Sequence, residues 1–171
     1  MATLNVADLN RQGKVFNAAN VSAKSVIAVT TAMTGLVVWN PPGSGVKLVI
    51  IDTGFVYTTA TAALHNLGVA VMNTNPATPT SLTVAGRAAQ AADGSGRVGQ
   101  AIAWDAATLP VAPVAVRWFA GTNATGSTAM YQANDRIDGS IVIVPGAAVA
   151  LTVVTTTAIG MGYFTWAEVP V

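Results

Sequence analysis

Residues 37–55, VVWNPPGSGVKLVIIDTGF, join two apolar segments through a turn rich in proline and glycine. The turn could be a phosphate-binding loop, but the pattern GxxxxGK[ST] fails because valine separates Gly45 from Lys47 and leucine follows the lysine. Two consecutive prolines fix φ before the glycines, which favours a reversal of the chain. The stretch therefore predicts a hairpin between strands at 35–40 and 46–57.

Alternation with a period of two predicts strands in the rest of the chain. In the segment PVAVRWFA, the side chains of Val114, Val116 and Trp118 fall on one face of a strand, and those between them fall on the other. Turn-forming residues separate the apolar runs, mostly with one turn for each strand. The predicted strands are 24–31, 35–40, 46–57, 66–72, 81–86, 98–104, 113–120, 127–132, 139–144, 147–155 and 161–168.

These short strands, with no convincing amphipathic helix between them, predict an all-β fold. The expected architecture is a two-sheet antiparallel sandwich, jelly-roll-like, although periodicity alone does not separate a jelly roll from another Greek-key sandwich. Residues 1–23 are rich in asparagine and show no strand alternation, so we expect an extended N-terminal arm ahead of a sandwich domain at 24–171. A peripheral edge strand of the same sandwich is the alternative to the arm.

The composition indicates a subunit of an assembly. Charged residues make up 9% of the chain, against about 25% in typical soluble domains, while hydrophobic residues make up 52%. The net charge is +1 and the basic residues are scattered, which leaves no electrostatic footprint for nucleic acid. Charge-poor, nearly neutral proteins tend to associate. We therefore expect apolar surface to be covered by copies of the chain or by a partner.

Two segments without charge, 25–46 and 139–167, are long enough to cross a bilayer. Both contain prolines and glycines, and the second is rich in β-branched residues, so strands are expected in place of membrane helices. The first residues carry charges and no apolar core, so no secretion signal is expected. We predict no membrane partner.

Motifs for catalysis or cofactor binding are weak. The run GSGRVG at 94–99 matches GxGxxG but lacks the strand and helix that flank a dinucleotide site, so a loop between strands is expected. His65 is the single histidine and cysteine is absent, which leaves no His/Cys metal site and no supported hydrolase triad. The isolated carboxylates do not indicate an acid-base pair. We predict a non-enzymatic protein with no cofactor and no metal.

Two features keep other binding functions open. Asp135 and Asp138 flank Arg136, which favours a turn held by local ion pairs but leaves a calcium site open. Aromatic side chains could stack on hexoses, although buried tryptophans are commoner in sandwiches. Trp104 and Tyr131 are the candidates for exposed aromatic residues at a glycan site.

Several segments are similar to a group of tailed-bacteriophage virion proteins. WNPPGSGVKLVIIDTGF at 39–55 resembles their aromatic-Asn-Pro-x-Gly-Ser-Gly-x-x-Leu block, and AATLPVAPVAVRWF at 106–119 is similar to their proline-punctuated mid-chain strand. DGSIVIVPGAAVALTV at 138–153, followed by FTWAEVPV at 164–171, resembles their C-terminal hairpin and Trp-x-Glu-x-Pro ending. Together these segments cover somewhat under half of the chain.

The resemblance implies a structural part of a virus particle, a jelly-roll subunit that decorates or cements the capsid, commonly as a trimer. On this expectation the chain binds the major capsid protein and its own copies at the capsid surface of the virion, after synthesis in the host cytoplasm. The arm would supply capsid contacts through Arg11, Lys14 and Phe16. The alternative is a tail-tip or fibre domain that binds a host surface glycan, and the sequence does not separate head from tail.

Overall fold

The structure, a computed structural model, describes residues 5–59, 65–82, 86–122, 132–154 and 157–171. Within these ranges the chain forms α1 Val6–Arg11, β1 Val15–Ala19, β2 Lys24–Val26, β3 Ala32–Trp39, β4 Val46–Tyr57, β5 His65–Met72, β6 Thr80–Ser81, β7 Arg87–Ala91, β8 Val98–Thr108, β9 Val114–Thr122, β10 Gln132–Arg136, β11 Val142–Ile143, β12 Ala148–Val153 and β13 Ala158–Pro170. No helix among the described residues has the length and apolarity that a membrane span requires.

The described strands belong to one large antiparallel sheet, which is nearly barrel-shaped. Its main path runs β10-β4-β13-β1-β7-β8-β3-β12-β5-β9, with β11 beside β4, β2 beside β13 and β6 beside β8. The all-β antiparallel prediction is confirmed, but the structure has one continuous sheet where two were expected. The reason lies in the long strands β4, β8 and β13, whose irregular registers let them bend around the core while their hydrogen bonding continues.

The sheet stops just short of closure at its two edge strands, β9 and β10, which form the seam. Among the described residues, no backbone ladder joins these two strands. Arg117 on β9 instead reaches Asp135 on β10, with Nε and Nη2 at 2.5 Å and 3.0 Å from the two carboxylate oxygens. A bidentate ion pair of this kind fixes both the distance and the relative orientation of the two side chains. It therefore links the two edge strands through side chains.

The interior of the sheet holds the main apolar core, in which Phe55, Phe164 and Trp166 are fully buried. Two glycines on β13 leave room for core side chains: an added Cβ would lie 2.6 Å from the ring of Phe55 at Gly160 and 2.1 Å from Cδ1 of Leu151 at Gly162. A second cluster around two tryptophans packs on the opposite face of β3, β8 and β12. A third, smaller cluster lies under α1.

The stretch 37–55 does not form the predicted hairpin. β3 pairs with β8 and β12, whereas β4 pairs with β10, β11 and β13. The turn therefore carries the chain from one part of the sheet to another. Sequence-local turn signals predict a reversal, but they do not determine which strands pair after it.

The proline-glycine connection between β11 and β12 is a second crossing of the same kind, since β11 pairs with β4 and β12 with β3 and β5. The two crossings lie side by side: Asn40 N donates to Ala147 O at 2.9 Å, and Gly146 N donates to Asn40 O at 2.7 Å. The buried Asn40 side chain also donates to Val46 O at 2.8 Å and to Ile143 O at 3.0 Å. One asparagine therefore ties both crossings together.

Residues 15–19 form an interior strand in place of the predicted arm or edge strand. β1 pairs with β13 on one side and with β7 on the other, and Phe16 is only 6% exposed. The asparagines of this region have structural roles, because Asn5 caps α1 through Oδ1 and Asn20 is buried. A five-residue strand carries too little alternation to be recognised from the sequence.

Candidate interaction surfaces

The residues predicted as capsid contacts do not form one exposed surface. Phe16 packs in the main core, so that part of the prediction is wrong. Arg11 is exposed on α1 and pairs with Asp8 at 3.2 Å. Lys14 is half-buried, and its carbonyl oxygen accepts a hydrogen bond from Glu168 N at 2.8 Å. The strand pairing of β1 explains the difference, since it draws this segment into the sheet.

Trp104 is also not the exposed aromatic residue that was predicted, because it is only 4% exposed. Its ring centroid lies 5.9 Å from that of Trp39, and its Nε1 donates to Ser81 Oγ at 3.0 Å. Tyr131 lies outside the described residues. Of the four tryptophans, Trp118 is the exposed one, at 46%.

The glycine-rich run 94–99 belongs to the connection between β7 and β8 and to the start of β8. Asp93 Oδ1 accepts from Ser95 N at 3.0 Å, and Oδ2 accepts from Arg97 Nη2 at 2.6 Å. Hydrogen bonds from Ser95, and then from Arg97, lower the pKa of Asp93 to about 2. The carboxylate orders its own turn, which confirms a loop between strands.

Asp135 and Asp138 face different guanidinium groups. Asp138 pairs locally with Arg136 at 3.3 Å, as predicted, whereas Asp135 pairs across the seam with Arg117. The hydrogen bond with Asp135, and then the charge of that carboxylate, raise the pKa of Arg117. In the described part of the chain, no group of three His, Cys, Asp or Glu side chains could hold a metal ion. The side chain of His65 lies outside that part.

Two buried carboxylates, which the sequence did not single out, hold the sheet together. Asp105 Oδ1 forms an ion pair with Arg87 Nη2 at 2.9 Å. The same oxygen accepts a hydrogen bond at 3.2 Å from the side-chain amide of Asn20, which lies beside the end of β1. Glu168 accepts hydrogen bonds from the backbone N–H groups of Gln100 at 2.9 Å and Ala101 at 3.2 Å. Both carboxylates are therefore occupied by partners within the fold.

The first group of exposed apolar side chains lies along β9 and is called the β9 surface. It consists of Val114, Val116 and Trp118, which are 60%, 52% and 46% exposed. The predicted alternation is interrupted, because the pairing of β9 with β5 shifts register at Val116. Trp118 lies opposite Gly68, whereas Val114 lies opposite Val71, which packs against the main core, and Arg117 turns to the seam. An irregularity of this kind is not visible in period-two alternation, which assumes an unbroken strand.

The second exposed apolar surface, the β13 surface, consists of Val56, Ile159 and Met161, each between 37% and 40% exposed. Met161 on β13 lies directly opposite Val56 on β4, and Ile159 follows on the same face. Tyr163 continues this row, and burial, followed by the charge of Asp52, raises the pKa of its phenol. The row therefore carries no charge near neutral pH. The sequence missed this surface because the predicted strand began only at residue 161.

Comparison with known proteins adds no relative from which a site could be transferred. No protein-family model, curated protein or solved structure matches the chain.

Proposed function

We propose that the chain is a non-enzymatic structural protein of a tailed-phage virion, which decorates the capsid and stabilises it by bridging shell subunits. The observation that carries this proposal is the β13 surface, an uncharged group of Val56, Ile159 and Met161 on a chain with only 9% charged residues. Covering apolar area recovers about 25 cal/mol per Å². Methionine is enriched, and charge depleted, at the centres of protein interfaces.

The mechanism of stabilisation is mechanical. A protein that binds only the assembled shell shifts the equilibrium towards that state by mass action. Stable contacts bury on the order of 1,000 Å² or more, so the three apolar side chains would be the centre of a wider contact with the major capsid protein. Copies of the chain, as a trimer on the capsid surface, would multiply these contacts. Synthesis in the host cytoplasm precedes this assembly.

Three of the seven side-chain carboxyl groups of the chain are held by partners within the fold, which supports a role without catalysis. Asp105 and Asp135 are engaged by arginines, and Glu168 by backbone N–H groups. A general acid or base needs a carboxyl group that can reach a substrate proton. These three carboxylates are committed to holding the strands together.

We propose in addition that the nearly closed sheet has jelly-roll connectivity. The strand order β3-β12-β5-β9 supports this, because β12 comes from late in the chain and lies between two earlier strands. A returning strand of this kind is the mark of a Greek key. It also suits the resemblance to jelly-roll virion subunits.

The proposal predicts that a charge on the β13 surface strongly weakens shell binding. Met161→Glu would place a carboxylate at the centre of the proposed contact, where desolvation without a partner is unfavourable. We expect binding to shells stripped of the protein to weaken by at least about 100-fold, which corresponds to roughly 2.7 kcal/mol. Co-sedimentation with the stripped shells measures this, and protection of the shells against heat gives a second readout.

Val98→Glu is the matched control, because Val98 is exposed on a different strand, β8. Both variants should show the wild-type circular dichroism spectrum and thermal transition. Equal binding by Met161→Glu and the wild type would refute the role of the β13 surface. Failure of the wild type to bind or protect shells would refute the decoration function itself.

A further inference from the structure

The ring of Trp118 packs on the sheet at a position where the paired residue has no side chain. It pairs with Gly68 of β5, and a Cβ on that glycine would lie 2.4 Å from Cε3 and 2.7 Å from Cζ3 of the indole. The six-membered ring is thus seated against the bare backbone of Gly68. About half of the side chain stays exposed, at 46%. The ring is therefore both positioned and accessible.

A polar amide accompanies the ring on the same strand pair. Asn66 is exposed and pairs with Gly121, and its Oδ1 lies 3.0 Å from the position that a Cβ on Gly121 would take. Asn66 and Gly68 are two residues apart, so their Cα atoms are about 7 Å apart along the strand. Because both paired residues are glycines, no side chain projects beside the indole ring of Trp118 or the uncharged amide of Asn66.

Among the described residues, the cation that precedes Trp118 in the chain is engaged elsewhere. Arg117 precedes Trp118 in the chain, but its guanidinium is bound to Asp135 across the seam. A ligand that binds beside Trp118 would meet an indole and an amide, with no unpaired cation contributed by Arg117. This arrangement favours an uncharged ligand over an acidic one.

We propose that Trp118 and Asn66 form a binding site for a hexose unit of a neutral glycan. An aromatic side chain, apolar on its faces, can cover the C–H face of a pyranose ring, while an amide can bond its hydroxyl groups. The ring lies beside Gly68, whose Cα is about 7 Å from that of Asn66, so one sugar ring could contact both side chains. The inference does not depend on the capsid proposal, because it concerns the isolated chain.

The test uses the purified full chain with soluble neutral polysaccharides, namely a glucan, a mannan and a galactan. The other three tryptophans are almost fully buried, so a change of tryptophan emission on titration reports mainly on Trp118. We expect saturable binding of at least one polymer. Trp118→Ala should weaken it by about tenfold or more, and Asn66→Ala by a smaller factor, since it removes hydrogen bonds alone. Affinity electrophoresis gives a readout that does not depend on tryptophan.

Val98→Ala, which removes an exposed apolar side chain on another strand, should bind like the wild type. Gly68→Ala should weaken binding while Trp118 is still present, because the new Cβ displaces the ring from its seat. Absence of binding to all three polymers would overturn the proposal. Unchanged binding by Trp118→Ala, or equal losses in Trp118→Ala and Val98→Ala, would overturn it as well.

Discussion

Gly160→Ala is expected to lower the free energy of unfolding by about 3 kcal/mol, at the upper end of the usual cost of overpacking. An added Cβ would lie 2.2 Å from the carbonyl oxygen of Val56 and 2.6 Å from the ring of Phe55. Gly160 does not have a positive φ, so the cost is steric. Because the closest atom belongs to the backbone of β4, the pairing of β4 with β13 has to shift. Urea denaturation followed by circular dichroism measures the loss.

Gly121→Ala is the control for this substitution. Within the described part of the chain, its Cβ would meet Asn66 Oδ1 alone, at 3.0 Å, which is the end of a side chain that can move. We expect a change within about 0.5 kcal/mol, as for most surface substitutions. Equal stabilities for Gly160→Ala and the wild type would contradict the close packing of β13 against β4. A variant that is recovered only as aggregate would agree with it, provided that Gly121→Ala folds.

Glu168→Ala is expected to cost about 1–3 kcal/mol, because a buried backbone N–H group left without a partner costs about that much and the N–H of Ala101 is buried, whereas that of Gln100 is only partly buried. The carboxylate accepts from Gln100 N at 2.9 Å and from Ala101 N at 3.2 Å, and the residue is 8% exposed. It joins β13 to β8 across two intervening strands, β1 and β7. The loss should therefore appear as a less stable but still cooperative unfolding transition.

Glu168→Gln separates the hydrogen bonds from the charge. Its carbonyl oxygen can still accept from both N–H groups, since Oε1 alone contacts both of them in the structure. We expect this variant to retain more than half of the stability that alanine loses. Denaturation curves that coincide for the wild type and Glu168→Ala would show that these N–H groups find other partners.

The bounds of individual strands were predicted better than the pairing between strands. β4 has the predicted bounds, 46–57, because a continuous apolar run between clear turn residues leaves little choice. The turn at 40–45 was also predicted, but the strands on either side of it pair elsewhere. Strand pairing depends on contacts between residues distant in sequence, such as the hydrogen bonds of Asn40 with Ile143 and Ala147. Local propensity carries no information about such contacts.

The surfaces were harder to predict than the strands. Trp118 was predicted to share a face with Val114 and Val116, but a register shift at Val116 breaks that alternation, and Trp104 was chosen as the exposed aromatic residue. The difference arises because a nearly closed sheet has clusters on both faces: Trp104 is covered by the segment that contains Ser81, while Trp118 lies on an edge strand. The alternation of a strand shows which residues share a face, but it does not show what covers that face.

The proposed decoration role predicts where the chain lies on an intact virus particle. Antibodies against the purified chain, visualised with gold on purified virions, give this position. If the chain decorates the capsid, gold labels should lie at many sites over the capsid surface. Labelling confined to the tail tip would contradict it in favour of a tail-tip or fibre domain that binds a host glycan, and unlabelled particles that lack the chain by mass spectrometry would contradict both.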